Sequence, residues 1–156
     1  MTEGLMMIRE AVVRYRGSRR GIPESIRNPA DVARFIRKLV GTDSREHFIL
    51  LLLDGRHRAI AYQVNSIGTA TASLVHPREV FQAAVHVGAV AFVIAHNHPS
   101  GNPQPSREDL ELTERLSRAG ELLGIRLLDS VVVAEAEFTS IRESDPDRIN
   151  TTPVSQ

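Results

Sequence analysis

The sequence predicts an α/β fold in which a mixed β-sheet is flanked by helices. Three runs dominated by apolar residues, Phe48 to Leu53 (FILLLL), Ala89 to Ala95 (AVAFVIA) and Ile125 to Ala134 (IRLLDSVVVA), have the length and composition of strands buried on both faces. The segments around them carry apolar residues at helical spacing. Taken in order, the chain spells helix, hairpin, helix, strand, helix, strand, the pattern of a sheet with helices packed on it.

The elements follow from local chemistry. Ile8 to Arg16 (IREAVVRYR) has β-branched character and predicts an edge strand, followed by a linker from Gly17 to Arg27. Asn28-Pro29-Ala30-Asp31 announces a helix, with an N-cap residue, proline in the first turn and an acidic side chain near the start. Val32, Phe35, Ile36 and Leu39 give that helix one apolar face, and Gly41 closes it. Asp54-Gly55 supplies a turn after FILLLL, and Ile60, Tyr62 and Val64 alternate as a hairpin partner would. A second helix begins at Pro77, with Val80, Phe81, Ala84 and Val85 expected to face inward and Gly88 to end it. The third starts at Ser106; Leu112, Leu116, Ala119 and Leu123 form its expected buried stripe, and Glu111 with Arg115 and Glu114 with Arg118 are expected i,i+4 pairs. From Glu143 onward the chain is polar and aperiodic, which predicts a disordered tail over 143–156. The expected organisation is a strand and basic linker over 1–27, one domain over 28–142, and the tail.

Composition narrows the function classes. A chain of 156 residues fits one core. No apolar stretch is long enough to cross a bilayer, and the N-terminus lacks the pattern of a signal peptide, so a cytoplasmic protein with no membrane partner is expected. The absence of cysteine excludes disulfides, thiolate zinc sites, a cysteine nucleophile and the paired-cysteine zinc of nucleobase deaminases. Lys plus Arg and Asp plus Glu balance at 19 each, without the basic excess of a dedicated nucleic-acid binder. Arg14, Arg16, Arg19, Arg20 and Arg27 concentrate positive charge near the start, leaving contact with DNA open, but no aromatic platform accompanies them.

One cluster names a chemistry. His96 and His98 stand two apart at the end of a predicted strand, so both rings can face one ion, and Pro99 keeps the pair extended. The loop from Ser100 to Pro105 (SGNPQP) turns the chain back and brings Asp109 towards them. Two imidazoles and one carboxylate suit Zn²⁺, and three protein ligands leave the open fourth position of a catalytic zinc site. Ser106-x-x-Asp109 is equally a capping box, a reading that accounts for those two residues but not for the histidines. Asn97 points away from the rings and is available for a supporting contact or a neighbouring loop. His47, His57, His76 and His86 are scattered and read as surface or packed histidines.

The run His96-x-His98-Pro99, then Ser106-x-x-Asp109, resembles the JAMM motif of MPN-domain metalloproteases, the fold of zinc isopeptidases that remove ubiquitin-like tags. With Val75-His76-Pro77-Arg78-Glu79-Val80-Phe81, Ala95 to Pro103 (AHNHPSGNP), Pro105 to Asp109, Leu122-Leu123-Gly124-Ile125 and Leu128-Asp129, the chain is similar to the bacterial RadC family over roughly Asn28 to Ser140. The resemblance implies a three-layer α/β architecture of the JAMM/MPN, cytidine-deaminase-like kind and a zinc metallopeptidase or isopeptidase acting on a peptide or protein substrate. It implies Glu46, just before the FILLLL strand, as the general base and Ser106 as donor to the developing oxyanion; since no motif fixes the spacing of Glu46 from the histidines, Glu79 is the second candidate for the base. RadC proteins are also described as DNA-repair proteins, so a DNA-associated or protein-interaction module with a structural or vestigial metal is the alternative. Two departures stand out: the segment before Asn28 is too short for the helix-hairpin-helix common in that family, and Ser130 occupies a position that is His in many members.

Overall fold

Strand β1 (Glu46–Leu53) is apolar at almost every position because it is covered on both faces. Phe48, Leu50 and Leu52 point one way and Ile49, Leu51 and Leu53 the other, as the two-residue repeat of a strand requires. The computed structural model describes residues 26–68 and 75–149, so the predicted strand Ile8 to Arg16 and most of the basic linker lie outside the described residues. β1 pairs antiparallel with β2 (Ala59–Gly68) on one side and with β3 (Ala91–Asn97) on the other. β3 pairs in parallel with β4 (Arg126–Val133), which pairs antiparallel with the short β5 (Phe138–Ser140). The result is a mixed five-stranded sheet in the order β2-β1-β3-β4-β5.

Helix α1 (Pro29–Val40) lays Val32, Phe35 and Ile36 on the face of Ile49, Leu51, Val93 and Val131. Helices α2 (Pro77–Val87) and α3 (Arg107–Leu123) cover the other face, where Val80, Phe81, Leu112 and Leu116 meet Leu50, Phe92 and Ile94. This is the predicted three-layer α/β architecture. Asn28 caps α1 by accepting from the Asp31 amide at 3.0 Å. Gly88 and Gly124 end α2 and α3 with the positive φ that glycine adopts freely. Among the described residues no helix is long and apolar enough to cross a membrane.

Several expectations need correction. Val85 is 60% exposed and Leu123 is 55% exposed, although both were expected in buried stripes. In α2 the inward stripe runs through Val80, Ala84 and the partly buried Val87, which rotates Val85 outward. In α3 the buried face is Asp109, Leu112, Thr113, Leu116, Ser117 and Gly120, and Leu123 lies beyond the point where Gly120 meets Ile125, the residue before β4. Order also continues past Glu143. A fourth helix, α4 (Ile141–Ser144), and a 3₁₀ turn (Pro146–Arg148) lead to Ile149, which is buried in the core. Ser117 donates to the Ile149 carbonyl at 2.6 Å and Arg148 pairs with Glu114 at 2.8 Å, so one apolar side chain and two polar contacts dock a segment that is polar overall. Of the expected ion pairs, Glu114 with Arg118 forms, whereas Arg115 reaches the Val75 carbonyl and Glu111 faces Arg107.

Candidate metal centre

Antiparallel pairing sets Phe48 opposite His96, so the beginning of β1 lies beside the end of β3. His96 is the penultimate residue of β3 and His98 follows it; the His98 amide donates to the Val133 carbonyl at 2.8 Å, which ties the exit of β3 to β4. The loop then delivers α3, whose first turn carries Asp109.

Ser106 and Asp109 do form a capping box. The Asp109 amide donates to Ser106 Oγ at 3.1 Å, and the Ser106 amide donates to Asp109 Oδ2 at 2.7 Å. The same carboxylate faces both histidines, with Oδ1 at 3.2 Å from His96 Nε2 and Oδ2 at 3.5 Å from His98 Nε2. Capping and approach to the histidines are therefore one arrangement: the cap fixes the rotamer that points Asp109 at the rings. The two Nε2 atoms are 3.0 Å apart. Glu46, half-buried at the head of β1, places its carboxylate within 4.8 Å of the ligand nitrogens of His96 and His98.

The donor set fits a divalent cation. His98 Nδ1 lies 2.9 Å from the Asn102 carbonyl, which can only accept, so Nδ1 carries the proton and neutral His98 presents its Nε2 lone pair to the cluster. Tetrahedral zinc with nitrogen and oxygen ligands at its usual bond lengths separates ligand atoms by about 3.3 Å. The spacings of 3.0, 3.2 and 3.5 Å bracket that value. His96 Nδ1 is buried without a hydrogen-bond partner, so only one of the two rings has its far nitrogen anchored. Burial pushes the Asp109 carboxyl up, but the rings of His96 and His98, when protonated, outweigh that and hold it well below the usual carboxylate range. The contact with Asp109 in turn raises His98 above the ordinary histidine value.

The structure thus brings together His96, His98, Asp109 and Glu46, with Ser106 at the adjoining helix cap. Glu79 is exposed on α2, where its carboxylate meets Asn65 at 3.5 Å, apart from Glu46, His96 and His98, whose ligand atoms lie within 4.8 Å of one another, and from Asp109, which faces both rings. Ser130 is buried in β4, two residues before Val132, the register partner of His96. The scattered histidines stay apart from the cluster: His76 caps α2, and His47 is buried with Nδ1 at 2.9 Å from the Arg45 carbonyl. Sequence reading missed the Asn102 carbonyl, because a backbone group leaves no signature in residue type.

A family description of RadC-like JAB domains matches residues 26–146. A UPF0758 protein of Halalkalibacterium halodurans is 38% identical over 90% of this chain and 72% of its own length. UPF0758 proteins of Desulforamulus reducens and Rubrobacter xylanophilus are 44% and 46% identical, over 75% and 73% of this chain. The chain spans 52% and 50% of those two relatives, about half their length. The match extends from the residue before Arg27 through the start of the 3₁₀ turn and so takes in the sheet and the helices α1 to α4 of the described residues together with the histidine cluster; this chain belongs to the RadC-like JAB domain family.

Proposed function

We propose that this domain is a zinc-dependent hydrolase of JAMM type that cleaves a peptide or isopeptide bond with water. The observation that carries the reading is the convergence of two imidazoles, one buried carboxylate and a second, half-buried carboxylate at the meeting point of β1, β3 and α3. His96, His98 and Asp109 would hold the ion. When bound, zinc supplies Lewis acidity that lets water act as a nucleophile near neutral pH.

The chain's own groups divide the remaining work. Asp109 is buried and engages both rings, which suits a ligand, whereas Glu46 is half-buried beside them, which suits a group that exchanges protons with water. Glu46 would accept the proton of the attacking water and pass it to the leaving amine. Ser106 Oγ accepts from the Asp109 amide, so its hydroxyl proton is free to donate to the carbonyl oxygen of the substrate as negative charge develops there.

The test is a peptide and isopeptide library screened with purified protein, with and without a chelator. Chelator-sensitive cleavage is expected, with about one zinc per chain. Glu46→Gln should keep the zinc and lose about 10²- to 10⁴-fold in turnover. If Glu46→Gln cleaves at the parent rate, Glu46 is not the proton carrier.

A further inference from the structure

The β1–β3 ladder ends at the pair Phe48 and His96. Beyond it the β3 backbone stays with β4 alone: Asn97 pairs with Val133, and the His98 amide donates to the Val133 carbonyl. The gap this leaves on the β1 side is filled by a side chain. Asn97 Oδ1 accepts from the His47 amide at 2.7 Å, and Asn97 Nδ2 donates to the Arg45 carbonyl at 2.9 Å. A backbone amide can only donate and a carbonyl can only accept, so these partners fix which way the carboxamide is turned. The two backbone groups it engages flank Glu46.

We propose that Asn97 is a positioning residue for Glu46: its carboxamide continues the ladder in place of a peptide group and sets where the Glu46 carboxylate stands relative to His96 and His98. Its importance rests on the proposed role of Glu46 in proton transfer. The Arg45 carbonyl also faces His47 Nδ1 at 2.9 Å, and the Arg45 side chain is clamped on Asp43 at 2.7 Å, so the backbone before Glu46 is held from both sides. Asn97 is adjacent to both histidines in sequence, and a single residue thereby couples the placement of the base to that of the rings. The chemistry is specific to asparagine. Aspartate could accept from His47 but would set a second acceptor against the Arg45 carbonyl; glutamine is a methylene too long; alanine removes both bonds. Misplacing a reacting group by about 1 Å can cost on the order of 10²-fold in rate, so a clamp of this kind has catalytic weight.

The experiment uses the full chain labelled with ¹³C and ¹⁵N, titrated with zinc alone, in the parent, Asn97→Ala and the nearly isosteric Asn97→Asp. All three should bind about one zinc per chain, because His96, His98 and Asp109 are intact. Amide exchange at His47 should speed up about tenfold in Asn97→Ala, the effect of losing one net hydrogen bond. The decisive quantity is the shift of the Glu46 carboxyl carbon on adding zinc: large in the parent, reduced in both variants. An unchanged Glu46 response in the variants, whatever happens at His47, overturns the positioning role and leaves the hydrolase reading standing. A Glu46 carboxyl blind to zinc in the parent itself sinks the proposed role of Glu46, and the role of Asn97 with it. Should Asn97→Ala fail to fold, Asn97→Asp carries the same comparison.

Discussion

At the scale of single residues, Asp109 joins two functions that can be separated by substitution. Asp109→Asn keeps an oxygen for the Ser106 amide but removes the proposed anionic ligand, so zinc content should collapse while the cap bond survives in the metal-free protein. Ser106→Ala removes the acceptor for the Asp109 amide and should cost about 1 kcal/mol of stability, with zinc retained. Elemental analysis beside urea unfolding reads both; zinc retained by Asp109→Asn would leave Asp109 as a cap alone. Asp129 shows a different balance. Burial raises its carboxyl above the ordinary value of 3.8, despite bonds from the Ser140 hydroxyl and the Ser130 and Arg142 amides, and nearby Glu143 adds to the rise. A raised native carboxyl favours the protonated form, so its contribution to stability is present at low pH and is lost as pH climbs from 3.8 through the native value. Asp129→Asn should flatten that stretch of the stability profile; an unaltered slope in urea unfolding at a series of pH values would contradict it.

At the scale of elements, the tight turn from α3 into the residue before β4 depends on Gly120. A Cβ there would lie 2.3 Å from the Ile125 carbonyl oxygen and 3.5 Å from the Phe92 ring. Alanine is the better helix former by about 1 kcal/mol, but the neighbour is backbone and cannot swing aside. Gly120→Ala should therefore destabilise by about 1 to 3 kcal/mol in chemical denaturation, against the sign that propensity alone predicts. This contact was not legible in the sequence, where Gly120 is merely a glycine inside a helical pattern. What was legible is whatever local chemistry dictates: the Asn28 cap, the Ser106 box, the apolar runs that became β1, β3 and β4, and the spacing of His96, His98 and Asp109. Long-range register was not. Glu46 could be named only by resemblance, and the pairing that brings it to His96 depends on how β1 and β3 align. Ile149 was lost to its polar surroundings, since periodicity cannot detect a segment docked by one apolar side chain.

At the scale of the molecule, balanced charge argues for weak contact with nucleic acid: 19 basic side chains face 19 acidic ones, and Arg14, Arg16, Arg19 and Arg20 lie outside the described residues. Duplex DNA should bind weakly, without sequence preference, and less as salt rises; tight, salt-resistant binding in a gel assay would favour the DNA-associated alternative. The origin of the four clustered side chains has a further consequence for assembly. His96, His98 and Asp109 come from one continuous strand, loop and helix, whereas the segment bearing Glu46 joins them through a contact between residues 50 apart in sequence, that of His47 with Asn97. The three proposed ligands therefore share one stretch of chain, whereas the proposed base reaches them only through the pairing of β1 with β3. Under the proposed function, metal content reads the strand, loop and helix alone, and only a signal from Glu46 reports on the alignment of β1 with β3.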